Sequence, residues 1–113
     1  MAQFALLLRD DPATFAHYSP EEMQRIIQRY GAWRQSILDR IKGGAKLTDG
    51  AGRVLRKRNG KSHVADGPFA ESKEVMGGFF LIDAESYDQA VELAKTCPHM
   101  EFGSIEVREI EVT

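Results

Sequence analysis

Several side chains in this sequence have the chemistry to move a proton or hold a charged small molecule. Asp66 precedes Gly67-Pro68, and Glu71-Ser72-Lys73-Glu74 follows, ahead of Gly77-Gly78-Phe79-Phe80. A Gly-Pro turn and a charged loop between a hairpin and an apolar strand make 66–80 the place to look for a site. Asp66 is the candidate general acid or base, tuned by the apolar face it would share with Leu55 and Val64. His99, just past the end of a helix pattern, is its candidate partner or a second proton carrier. Lys73 or Arg108 would hold an anionic group. Glu71 belongs to the same ligand-facing loop, and Tyr30 and Trp33 would wall the pocket. Each residue also has a plainer role. Asp66 can cap its turn or pair with Arg53, and Glu71, Lys73 and Glu74 can form a solvated turn. Tyr30 and Trp33 fit core packing at helical spacing. His99 can cover the C-terminal end of a helix, where a positive ring is favoured.

Other chemistries lack a pattern. His17, His63 and His99 are dispersed without metal-ligand spacing, and no phosphate-binding loop is present, so neither a metal nor another cofactor is expected. Cys97 is the one cysteine, which excludes an internal disulfide. On an apolar helical stripe it reads as a small buried hydrophobe.

Composition sets the frame. The chain has 113 residues, 42% hydrophobic and 28% charged, with a formal net charge of -2. That suits one domain with a single core. The charge balance argues against nucleic acid as the main partner. Arg53, Arg56, Lys57, Arg58 and Lys61 form a basic cluster that reads as a solvated sheet edge. No apolar run approaches the roughly 20 residues that span a bilayer. The sequence opens directly in a strand pattern, without a charged-then-apolar leader, so a soluble cytoplasmic protein is expected.

The elements that must position these residues follow from periodicity. Phe4-Ala5-Leu6-Leu7-Leu8 predicts a strand buried on both faces. Ser19-Pro20-Glu21-Glu22 predicts a capped helix start, and Met23, Ile26, Ile27, Tyr30, Trp33, Ile37 and Ile41 continue it to a stop at Gly43-Gly44. Asn59-Gly60 predicts a two-residue hairpin that sets Arg58 opposite Lys61, Arg56 opposite His63 and Arg53 opposite Asp66. Leu55, Val64 and Asp66 then share a face directed to the core or a cavity. Phe79-Phe80-Leu81-Ile82 predicts a second strand apolar on both faces. Ser86-Tyr87-Asp88-Gln89 starts a second helix that Pro98 ends. Ser104–Thr113 predicts a last strand whose phase slips at Arg108-Glu109, by a bulge or by leaving its sheet.

With the hairpin's extra strand omitted or treated as an extension, the order is βαββαβ, an α+β, ferredoxin-like arrangement. Two helices cover one face of the sheet, and nothing covers the other. An apolar sheet face of that size is an association surface. A homodimer, sheet against sheet or completing a barrel, is therefore expected.

Asp-Gly-Pro-Phe-Ala-Glu-Ser-Lys-Glu at 66–74, Gly77-Gly78-Phe79 and Gly103-Ser104-Ile105-Glu106-Val107-Arg108 resemble the DGPF branch of the YCII-related family, as do Ser-Pro-Glu-Glu at 19–22 and Cys-Pro-His at 97–99. The resemblance runs nearly end to end. It implies a ferredoxin-like fold pairing as a dimeric α+β barrel. Another branch includes a dehydrochlorinase acting on a chlorinated aromatic and is associated with a His–Asp pair. Helix 21–41 here contains no histidine, so that chemistry is not carried over. Domains of the DGPF type are also linked to extracytoplasmic-function sigma factors, which implies a regulatory role. Two functions are therefore weighed: acid–base lyase or isomerase chemistry on a small molecule, and a non-catalytic ligand-binding or regulatory module with a sigma factor as partner.

Overall fold

The structure, a computed structural model, describes residues 1–48, 52–67 and 74–112. Strand β1 is Ala2–Asp10, and its side chains alternate. Phe4, Leu6 and Leu8 are buried, whereas Ala5 and Leu7 on the opposite face are half-buried. Helix α1, Pro20–Ser36, begins as its sequence dictates. Ser19 Oγ accepts from the Glu22 N–H at 3.1 Å, and Glu22 Oε1 accepts from the Ser19 N–H at 3.1 Å. The hydrogen bonds from Ser19, backbone first, hold the Glu22 carboxyl below the usual carboxylate range.

The helix ends earlier than its apolar spacing predicts. Ile37 leaves the helix at φ -126°, and the chain turns through Arg40, whose N–H donates to Ile37 O at 2.8 Å. Ile41–Lys46 is not the last helical turn but strand β2. Gly43-Gly44 therefore does not stop a helix. Gly44 has φ +152°, and a Cβ there would lie 2.6 Å from Phe79 O, so this close strand contact requires glycine. An Ile-Lys-Gly-Gly-Ala-Lys strand has no alternation of its own, and its ladder is supplied by its neighbour.

That neighbour is β5, Val75–Ala84, which pairs with both β2 and β1. Helix α2 is Tyr87–Lys95, with Ser86 Oγ accepting from the Gln89 N–H at 3.2 Å. Strand β6, Gly103–Glu109, closes the sheet on the far side of β1. The order β2-β5-β1-β6, antiparallel throughout, is the ferredoxin-like arrangement. The phase slip near the C-terminus marks the end of the strand: β6 stops at Glu109, and the Ile110 N–H donates to Gln3 O.

Both helices lie on one face. Trp33 and Ile37 of α1 and the end of the helix, with Ala90 and Ala94 of α2, pack on Phe4, Leu6, Leu8 and Ile82. Small side chains at Ala90 and Ala94 let α2 approach the sheet closely, and burying Leu6 or Ile82 completely contributes roughly 1.5–3 kcal/mol each. Trp33 stands edge-on to Phe80, and its indole N–H donates to Thr96 Oγ1 at 2.9 Å. On the opposite face Leu7 sits beside Phe79 and Ala5 beside Leu81, and neither helix packs there. No described helix is long and apolar enough to cross a membrane.

Strands β3, Arg53–Arg58, and β4, Lys61–Asp66, form a separate two-stranded sheet. Asn59 and Gly60 take φ +50° and +76°, as a twisted two-residue turn requires, and the register is Arg58 with Lys61, Arg56 with His63 and Arg53 with Asp66. The hairpin does not turn its apolar face to this chain's core. Leu55 is 70% exposed and Val64 62% exposed. The radius of gyration is 16.0 Å, where a compact chain of this length has about 13 Å. The hairpin is an arm standing off the body.

Candidate functional site

The chemistry of the body gathers where β1 ends. After α2, Pro98 opens a 3₁₀ turn, Pro98–Glu101, closed by the Met100 N–H on Cys97 O and the Phe102 N–H on His99 O. The turn drives His99 inward until it is only 3% exposed. Its Nε2 lies 2.9 Å from Arg9 O, and its Nδ1 lies 2.8 Å from the Tyr30 hydroxyl. A carbonyl only accepts, so Nε2 carries the proton. In the neutral ring Nδ1 is then the bare nitrogen, and the Tyr30 O–H donates to it.

Backbone proximity makes this arrangement specific. Gly103 pairs with Asp10 in the sheet. A Cβ on Gly103 would collide with Arg9 O and come within 3.0 Å of His99 Nε2. Only glycine leaves room for the imidazole on that carbonyl. Asp10 sits at the same end of β1, and its Oδ1 is 2.5 Å from where a Cβ on Gly77 would be. Tyr30 is driven well above the ordinary phenol range. Burial is the main cause, with the charges of Cys97 and Asp10 adding to it and Arg29 opposing. Its proton is therefore held at every physiological pH. Burial likewise pushes the Cys97 thiol up, against a hydrogen bond from the His99 backbone.

Aromatic rings rim this cluster. Phe102 lies nearly parallel to Tyr30 with centroids 6.5 Å apart, and Phe15 lies 5.3 Å from Phe102. Arg29 covers the Phe102 ring at 5.9 Å and pairs with Glu101 at 2.7 Å.

Of the residues expected to form a site, the structure joins Tyr30 and His99. Asp66 is elsewhere: it ends the arm, its side chain is 83% exposed, and it pairs with Arg53 at 3.5 Å. A short two-stranded ribbon puts both of its faces in water, so sharing a face with Leu55 and Val64 does not bury it. Trp33 is a core residue, not a pocket wall. Arg108 is exposed and pairs with Glu106 at 3.4 Å. Glu71 and Lys73 lie outside the described residues. His17 stacks on Tyr18, and His63 faces Arg56 across the hairpin. Among the described residues no cluster of His, Cys, Asp and Glu is arranged to hold a metal ion.

Asp10, Gly103 and Phe102 were not foreseen. Asp10 had a signal: it continues the alternation of Phe4, Leu6 and Leu8 and so falls on the helix-covered face. Gly103 had none, because the carbonyl it admits to the imidazole is 94 residues earlier in the chain.

The model of the YCII-related domain matches residues 2–112. The chain belongs to the YCII-related family. A curated relative, an uncharacterised protein of Rhizobium meliloti (strain 1021), is 36% identical over 110 residues, covering 93% of this chain and 89% of the relative. Among solved structures, 5-chloro-2-hydroxyhydroquinone dehydrochlorinase from Burkholderia phenoliruptrix AC1100, in complex with 2,5-dihydroxybenzoquinone, superposes with a TM-score of 0.51. It shares 18% identity and covers 98% of this chain and 95% of its own, a likeness of fold.

Proposed function

We propose that this YCII-related protein is a homodimer that binds a small organic molecule beside Tyr30 and His99 and moves a proton on it, as a lyase or isomerase does. The observation that carries this reading is the buried His99 ring held in one tautomer with its bare Nδ1 on the Tyr30 hydroxyl. Such a pair is a relay. A substrate X–H gives its proton to the Tyr30 oxygen while the Tyr30 proton passes to Nδ1. The imidazolium so formed keeps its Nε2–H on Arg9 O and lies at the same sheet end as the Asp10 carboxylate. Return of the proton to product restores both groups. A neighbour of the same fold is a dehydrochlorinase bound to a dihydroxyquinone, which makes planar enols, phenols and hydroxyquinones the first class to try.

The dimer half of the reading rests on the sheet face carrying Ala5, Leu7, Phe79 and Leu81, which neither helix covers. The single buried thiol suits a reducing, cytoplasmic setting.

A second reading follows from the same hydrogen bonds. Both His99 nitrogens are satisfied inside the chain, as in a structural histidine. The site would then bind a ligand without turning it over, and the protein would act as a regulatory module, with a sigma factor as its partner. A thermal-shift screen with small enols, phenols and hydroxyquinones separates the cases. The relay requires a stabilising compound that also exchanges carbon-bound hydrogen with solvent, and Tyr30→Phe must abolish the exchange. Binding that never leads to exchange supports the regulatory module. Stabilisation and exchange both indifferent to Tyr30→Phe remove the site from this end of β1.

A further inference from the structure

The arm carries a charge that the rest of the chain does not. From Arg53 to Asp66 five Lys and Arg side chains stand against one carboxylate, a net +4, while the whole chain is -2, so the remaining residues hold -6. By register Val54, Arg56, Arg58, Lys61, His63 and Ala65 share one side of the ribbon, and five of them line a hollow of about 300 Å³ there, edged by Val64. The other face exposes Leu55. An isolated two-stranded ribbon is marginal in water, so this arm needs a surface to rest on. Its own body is not that surface, since Leu55 and Val64 remain exposed.

We propose that the arm clasps a second copy of this chain, laying its cationic side on the partner's acidic body. Charge complementarity selects the occupant. The surface that a +4 arm fits is the one with an excess of carboxylates, and the body of this same chain has it. A nucleic acid would meet the arm favourably but would be repelled by the -6 body beside it. The clasp deepens the homodimer reading above and depends on it: the open sheet face drives association, and the arm adds a salt-sensitive grip.

The test compares wild type with Arg58→Glu/Lys61→Glu and the milder Arg58→Gln/Lys61→Gln by sedimentation across protein and salt concentration. Both sites are exposed strand positions flanking the turn, and circular dichroism checks that the fold is kept. The wild-type dimer is expected to weaken with salt. The Glu pair should raise its dissociation constant about tenfold or more and flatten the salt dependence, with the Gln pair between. Amide exchange in β3 and β4 should slow as wild-type protein is concentrated. A wild type that stays monomeric removes the dimer and the clasp together. A dimer equally tight in all three proteins removes the clasp and leaves the dimer. Duplex DNA held by wild type and released by the Glu pair, with dimerisation unchanged, assigns the arm to nucleic acid instead.

Discussion

The Tyr30 hydroxyl stands 2.8 Å from His99 Nδ1, joining helix α1 to the turn after α2 across 69 residues of sequence. The same ring reaches Arg9 O on β1. One buried imidazole thus ties together both helical segments and the central strand, at the end of the sheet where Asp10 also lies.

Tyr30→Phe removes the donor and leaves Nδ1 bare and buried. The expected cost is about 1–2 kcal/mol at neutral pH, read from urea unfolding. The pH dependence has a defined sign. The folded-state pKa of Tyr30 is raised above its unfolded value near 10, so the folded chain holds a proton that the unfolded chain releases. That contribution is complete below about pH 10 and is lost as pH rises toward the folded value. Wild-type stability should therefore fall above about pH 10 more steeply than that of Tyr30→Phe. Parallel slopes would show a phenol that titrates as freely in the folded chain.

Gly103→Ala should be more damaging than its exposure suggests. The added methyl meets Arg9 O, and either β6 shifts or the imidazole leaves the carbonyl. A loss of about 2–3 kcal/mol is expected by denaturant unfolding. An unchanged midpoint would mean that the strand ends are not held this closely.

Cys97 should be chemically silent. It is buried, and its thiol is pushed up by that burial. An aromatic disulfide reagent at neutral pH is expected to label it only on unfolding. Rapid labelling of the native protein would place the thiol at the surface and undo this end of the core.

Asp66→Asn should change little. Its partner Arg53 is exposed, and such pairs contribute up to about 1 kcal/mol. Stability should stay within about 0.5 kcal/mol, and any hydrogen-exchange activity should persist. Loss of that activity would return Asp66 to the site, by way of a second subunit.

The hairpin was legible to the residue, because Asn59-Gly60 fixes register by local turn geometry. The capping at Ser19 and Ser86 and the two apolar faces of β1 and β5 were legible for the same reason: each is written in a few adjacent residues. Strand β2 was not, since Ile41 continues a helical stripe and Gly43-Gly44 imitates a stop. Its state is decided by pairing with Phe79–Ile82, far along the chain. The site divides similarly. His99 and Tyr30 could be picked by residue type, but their hydrogen bond depends on Gly103 admitting the ring. Asp66 was misplaced because face-sharing with apolar residues indicates burial only where a second layer exists.

The most direct test of the relay is nitrogen-15 NMR of the His99 ring, free and with the most stabilising enol, phenol or hydroxyquinone, starting from 2,5-dihydroxybenzoquinone. The free protein should show a protonated Nε2 and a bare Nδ1, and the compound should shift Nδ1 toward the protonated state, an effect absent in Tyr30→Phe. A bare Nε2, or a ring indifferent to every bound compound, would contradict the account.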